Sequence, residues 1–238
     1  MKEELIKKAA EIGVELSETQ ADQFMDYYEM LVETNKVMNL TAITEWEDVL
    51  LKHFVDSLAS AKYIDFKKGG TLIDVGTGAG FPGIPLKIAF PEIKVTLMDS
   101  LNKRIGFLKQ VIDKLGLKNI EAIHGRAEEL GRSVDHREKY DYCVSRAVAN
   151  LAVLSEYCTP FVKKEGLFIS YKAGSVEEEL EQAKNAIHML GCELEKKEDL
   201  ILPGSDIERT FLFIRRKTNI SKRYPRKAGT PSKEPLGK

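Results

Sequence analysis

The sequence predicts an α/β fold: a seven-stranded, mostly parallel sheet whose last strand runs antiparallel, behind a small N-terminal helical domain. Three observations point there. Apolar residues recur at helical spacing up to about residue 65. From Thr71 onward, short apolar runs alternate with helical stretches, which implies right-handed crossovers and a parallel sheet covered on both faces. The final two strand-like runs are joined only by Leu202-Pro203-Gly204-Ser205-Asp206, so they form a hairpin and the last strand must reverse.

Taken in order, Leu5, Ile6, Ala9, Ala10 and Ile12 mark a first helix stopped by Gly13. Ser17-Glu18-Thr19-Gln20 fits a capping box, in which a serine hydroxyl accepts the third amide and the glutamine returns to the serine amide. The helix behind it turns Phe24, Tyr27, Tyr28, Leu31 and Val32 inward. Thr44-Glu45-Trp46-Glu47 reads as a second box, opening a helix with Val49, Leu50, Phe54 and Leu58 inside. Strands are expected at 71–75, 94–99, 119–123, 140–145, 166–172, 192–198 and 209–215, and helices near 82–90, 101–116, 148–158 and 175–190. The expected division is a helical domain over 1–65, a cofactor-binding domain over 66–217 and a flexible basic tail over 218–238.

The composition narrows the function classes. With 43% hydrophobic and 31% charged residues, the chain is that of an ordinary globular protein. No apolar run is long enough to span a bilayer, and the N-terminus reads as mixed charge, so no membrane partner is expected. Three cysteines without CxxC spacing and four scattered histidines argue against disulfides and a metal site, and for a reducing cytoplasm. From Lys217 on, Lys217, Lys222, Arg223, Arg226, Lys227, Lys233 and Lys238 face only Glu234, a local basic segment suited to a polyanion.

The chemistry centres on a loop. The strand ending in Asp74-Val75 runs into Gly76-Thr77-Gly78-Ala79-Gly80-Phe81-Pro82-Gly83, where glycines let the chain turn and a ligand approach the backbone. Gly78, Gly80 and Gly83 also satisfy a dinucleotide pattern, with Asp99 at the distance expected of a ribose ligand. Asp74 just before the glycines favours S-adenosylmethionine as cofactor, and so do Phe81, Pro82 and Pro85 crowding the helix start. The polar pair after Ile123, at Arg126-Ala127-Glu128, points the same way. A nicotinamide site and a ligand-free turn stay open. Asp99 reads as a ribose acceptor or a helix cap, and Glu128 as an adenine-side contact or a helix-start acid. This is the pattern of a Rossmann-like class I methyltransferase fold.

The acceptor is approached by elimination. Methylation at pyrimidine C5 needs a cysteine nucleophile, but Cys143 and Cys158 read as core. Amine methylation usually shows an Asn/Asp-Pro-Pro-aromatic loop after the fourth strand, where this chain has Cys143-Val144-Ser145-Arg146-Ala147-Val148. A ring nitrogen such as guanine N7 needs no proton removal, so positioning can supply most of the rate. No catalytic residue is assigned. Arg146, at the pocket mouth, is the positioning candidate, reading guanine O6, a phosphate or the cofactor, or else serving an ion pair. His53 and Asp56 lie one helical turn apart and either orient each other beside the acceptor or simply pack.

Taken together, the runs Asn39-Leu40-Thr41-Ala42-Ile43, His53-Phe54-Val55-Asp56-Ser57-Leu58, Asp74 to Pro85, Asp99 to Arg104 and Ser145-Arg146-Ala147 resemble one family over nearly the whole chain. It is the RsmG family (formerly GidB), bacterial guanine-N7 methyltransferases of small-subunit ribosomal RNA. The resemblance implies methylation of a guanine in the 530-loop of 16S rRNA, met as rRNA or as a small-subunit particle. It implies cofactor contacts at Gly76, Phe81, Ala127, Glu128 and Arg146. Ser145 and Asn150 depart from the Ala and Arg frequent in close relatives, which puts the local RNA contacts in doubt. The tail residues Lys222, Arg223, Tyr224, Arg226 and Lys227 would bind RNA phosphates, with Tyr224 stacking on a base, unless the tail is idle.

Overall fold

The computed structural model of the chain describes residues 1–237. One sheet is built from β1 (Gly70–Val75), β2 (Ile93–Asp99), β3 (Ile120–His124), β4 (Tyr140–Arg146), β5 (Val162–Ala173), β6 (Cys192–Ile201) and β7 (Glu208–Arg216). Its order is β3-β2-β1-β4-β5-β7-β6. The pairs β1–β4, β2–β3 and β4–β5 are parallel, and β7 is antiparallel to β5, with Ile169 opposite Phe213. As a strand with neighbours on both sides, β7 buries Phe211, Leu212, Phe213 and Ile214 consecutively, which is why it reads as an unbroken apolar run. β5 begins earlier than expected. Its register against β4 jumps from Tyr140–Val162 to Tyr142–Leu167, so the polar stretch before Gly166 bulges out and still belongs to the strand.

Two compact units emerge. The first comprises Met1–Gly70, Thr77–His124 and Ile201–Ile207; the second comprises Thr71–Gly76, Gly125–Leu200 and the chain from Glu208 onward. The boundary expected near residue 65 is therefore not where the chain divides. The first unit carries α1 (Lys2–Glu11), α2 (Glu18–Met38), α3 (Trp46–Val49), α4 (Asp56–Leu58), α5 (Gly83–Ala89) and α6 (Asn102–Lys114), with a π-helical turn over Leu50–Val55.

The reason the N-terminal helices join this unit lies in α2. The Ser17 box forms: Ser17 Oγ accepts the Gln20 amide at 3.2 Å and Gln20 Oε1 accepts the Ser17 amide at 2.9 Å. Gln20 Nε2 then donates to the carbonyls of Ile88 (2.7 Å) and Ala89 (3.1 Å), capping the end of α5 as well. Gln23 Nε2 reaches the Leu115 carbonyl at 2.9 Å, and the Tyr27 hydroxyl donates to Ala79 O at 2.5 Å. The second expected box does not form. α3 begins after Glu45, one residue later than the box requires, without a side-chain cap; the Thr44 carbonyl accepts the Tyr28 hydroxyl (3.1 Å) and the Trp46 indole donates to Glu4 (3.1 Å).

The second unit carries α7 (Ala127–Leu130), α8 (Leu151–Cys158), α9 (Glu177–Met189) and α10 (Thr230–Lys233). α8 starts at Leu151 because the Asn150 side chain accepts the Val153 amide at 3.2 Å. The flexible tail expected after Thr218 is corrected by the structure. Ile220, Tyr224 and Leu236 are buried, and residues 230–233 form α10. Lys238, counted in that tail, lies outside the described residues. Among the described residues no helix is long and apolar enough to cross a membrane.

Candidate functional site

In the first unit the glycine loop is held from behind by its own backbone and by α2. The Thr77 amide donates to Met98 O at 3.0 Å, tying the loop to β2. Gly80, at φ +107°, is packed shut: a Cβ there would meet Ile84 Cδ1 and Tyr27 Oη at 2.6 Å. Gly78, at φ +63°, faces open space, with nothing within 4 Å of where a Cβ would be. One glycine closes the loop against the body and the other leaves its outer side accessible to a ligand.

Beside that open glycine stands Asp99, buried at the end of β2. Its Oδ2 accepts the Gly78 amide at 3.0 Å and its Oδ1 accepts the Leu101 amide at 2.9 Å. Arg104 Nη1 lies 3.2 Å from Oδ2. The two amides fix the carboxylate plane, so both readings of Asp99 have a basis: it braces the turn into α6 and presents an oriented acceptor. Phe81 is sandwiched between Tyr27 (centroids 5.3 Å) and the His53 ring (4.4 Å, nearly parallel). His53 Nε2 is 2.9 Å from Thr41 Oγ1, so two motif runs that sequence alone left unconnected meet at the loop's aromatic residue. Asp56 is buried one turn on.

The second unit holds the other expected residues. Asp74 is fully buried in β1 opposite Val144, and Ser145 Oγ donates to Val75 O at 2.7 Å, holding the strand end that leads to Gly76. A Cβ on Gly76 would meet Val148 Cγ2 at 2.6 Å. Ser145 is thus a strand brace, and Asn150 a helix cap. Arg146 ends β4 opposite Tyr171, half-buried. Burial pushes the Cys143 thiol well above its ordinary range, with Cys158 and Asp74 adding to the effect, and burial pushes Cys192 up to about 12. All three cysteines are free and buried, so none is presented to a substrate.

Ala127 and Glu128 are both buried in the first turn of α7. Glu128 Oε1 accepts the amide of Gly229 at 3.0 Å, a contact from the tail that sequence reasoning did not foresee. The tail residues divide. Lys222, Arg223 and Lys227 are exposed, as a phosphate-binding role requires. Tyr224 is only 2% exposed, so its expected stacking on a base is corrected: the ring is part of the core, with the Arg223 guanidinium over it at 4.6 Å. Arg226 is engaged with Glu156, whose side chain is fully buried, at 2.7–3.1 Å. Glu156 was legible only as a lone acid in the apolar run of α8 that must find a cation.

Comparison with known proteins gives the family. A family model described as GidB, rRNA small subunit methyltransferase G, matches residues 20–202. A protein of Lachnoclostridium phytofermentans named ribosomal RNA small subunit methyltransferase G is 56% identical over 225 residues, 94% of this chain and 93% of its own length. The Bacillus subtilis protein of the same name is 51% identical over 234 residues, 98% of each chain. Among solved structures, M. jannaschii TYW2 in complex with AdoMet is 17% identical and superposes with a TM-score of 0.50, covering 62% of this chain and 69% of that one; it supports the fold. By the family match and by these relatives, the chain belongs to the GidB family of rRNA small subunit methyltransferase G proteins.

Proposed function

We propose that this chain transfers the methyl group of S-adenosylmethionine to N7 of a guanine in the 530-loop of 16S rRNA, as rRNA or within a small-subunit particle. The observation that carries the reading is the Asp99 carboxylate, clamped by the Gly78 and Leu101 amides beside a glycine whose outer side is open. The donor set fits the cofactor. A ribose diol offers two hydroxyl donors to a carboxylate that is already oriented, and little ordering is left for binding to impose. Asp74, Gly76, Gly80, Phe81, Ala127 and Glu128 complete the proposed cofactor contacts, and Arg146 holds the acceptor's O6, a phosphate or the cofactor.

Bound S-adenosylmethionine supplies an electrophilic methyl group on a sulfonium. Held by Asp99 and the glycine loop, it would offer that methyl to the lone pair of guanine N7, with the electron pair of the C–S bond left on sulfur. N7 bears no proton, so the chain needs no general base; its task is to hold two reactants in line. The burial of all three cysteines counts against a C5 mechanism, which would need one as nucleophile.

Reverse-transcription mapping of N7-methylguanine in small-subunit rRNA, from cells with and without the protein, tests the reading. A stop in the 530-loop that disappears with the protein is expected. An unchanged pattern would overturn the acceptor assignment. Calorimetry that found NADH bound, and S-adenosylhomocysteine not, would overturn the cofactor.

A further inference from the structure

The C-terminal segment is attached to the second unit with more buried polar chemistry than an idle terminus requires. Arg137 donates to the carbonyls of Tyr224 (2.7 Å) and Ile220 (3.1 Å), and Arg132 to those of Pro225 (2.7 Å) and Arg223 (2.9 Å). Arg226 forks onto Glu156, whose Oε1 also takes the Arg226 amide at 2.7 Å. A fully buried carboxylate tied by both the backbone and the guanidinium of one residue fixes the register of the chain there. Three residues on, Gly229 sits at φ +81°, and its amide meets Glu128 Oε1. Tyr157 touches the same carboxylate, and its hydroxyl is 2.9 Å from Ser232 Oγ. The phenol is pushed above its ordinary pKa by burial, and the Glu128 and Glu156 carboxylates add to this, so it stays a neutral hydrogen-bonding group.

We propose that Arg226 and Gly229 are positioning residues for the methyl donor: the Arg226–Glu156 pair holds the tail in register, and the Gly229 amide then sets the rotamer of Glu128. The inference rests on Glu128 being a donor contact. A glutamate side chain on a four-residue helix has three soft torsions, and an acceptor left to sample them binds a ligand hydroxyl or amine more weakly than one already held. The tail therefore acts on the donor site from outside it, through one amide and one carboxylate.

The test is a double-mutant cycle read by calorimetry of S-adenosylhomocysteine binding, with thermal unfolding as the fold control. Glu128→Ala is expected to weaken binding roughly tenfold, the factor one charge-assisted hydrogen bond carries. Arg226→Met should weaken it by a similar factor, and Arg226→Lys, which keeps the charge without the fork, should recover part of the loss. In the Glu128→Ala background, Arg226→Met should cost nothing further. In turnover, Arg226→Met should raise the donor KM and leave kcat close to wild type. Unchanged affinity in Glu128→Ala overturns the underlying assignment of Glu128. Loss in Glu128→Ala with none in Arg226→Met, or full additivity of the two, overturns the positioning role. Should Arg226→Met fail to fold, Glu156→Gln, which weakens the same pair, takes its place in the cycle with the same expected and overturning outcomes.

Discussion

Gly78 and Gly80 are two residues apart and share a left-handed backbone, yet their surroundings predict opposite consequences of substitution. At Gly78 nothing stands within 4 Å of a new Cβ, whereas at Gly80 it would strike Tyr27 Oη and Ile84. Gly78→Asp should abolish cofactor binding, by filling the open side with a charge next to Asp99, with a stability loss of only about 1–2 kcal/mol from the strained φ. Gly80→Ala should instead lower the unfolding midpoint markedly, by forcing apart the loop and α2. Calorimetry and thermal unfolding of the two variants separate the cases. A Gly78→Asp protein with wild-type affinity for S-adenosylhomocysteine would remove the loop from the site. The cysteines give a pH prediction at the same scale. Cys192 is raised from 9.0 to about 12 by burial, so the stability it contributes is full below about 9 and is lost as pH rises toward 12. The difference in guanidinium midpoint between wild type and Cys192→Ala should therefore shrink between about pH 7 and about pH 10. A constant difference would show that the thiol does not titrate with unfolding. The glycine turn and its bond to Asp99 were legible in the sequence because they lie 21 residues apart, whereas the Tyr27 contact behind the loop, 52 residues away, was not. The burial of Tyr224 and the pairing of Arg226 with Glu156, 70 residues away, were not legible, because both depend on contacts distant in sequence.

Among the elements, capping shows how local and tertiary signals compete. Two Ser/Thr-x-x-Gln/Glu runs look alike in sequence, but only Ser17–Gln20 closes as a box. Ser17→Ala should cost about 1 kcal/mol, and Thr44→Ala much less, because no side-chain cap is lost there. Gln20→Ala should exceed Ser17→Ala, since Gln20 also serves the last carbonyls of α5. Chemical denaturation of the three variants gives the ranking, and a Thr44→Ala loss equal to that of Ser17→Ala would contradict it. Strand positions were readable to within a few residues from apolar runs and turn residues alone. The early start of β5 was not, since Lys163-Lys164-Glu165 is as polar as a loop and only the bulge against β4 retains it in the strand.

On the scale of the whole molecule, the ordered C-terminus changes how an RNA-binding role must be tested. Deleting residues 218–237 would remove exposed cations, but it would also strip Arg226 from the fully buried Glu156. An unpaired buried charge of that kind costs about 3–5 kcal/mol, so a truncated chain would lose RNA affinity by unfolding as readily as by losing phosphate contacts. Three exposed cations of the tail, Lys222, Arg223 and Lys227, flank the anchored residues. Replacing these three by alanine leaves the Arg226–Glu156 pair in place, so the unfolding midpoint should stay within a few degrees of wild type. Each phosphate contact on a single strand contributes about 0.7 to the slope of log K against log salt, so loss of all three should flatten the slope by about 2. Filter binding of a 530-loop fragment across a salt series measures that slope directly. Weakened binding with an unchanged slope would place the three residues outside the interface, and a flattened slope at unchanged stability would assign them to the phosphate backbone.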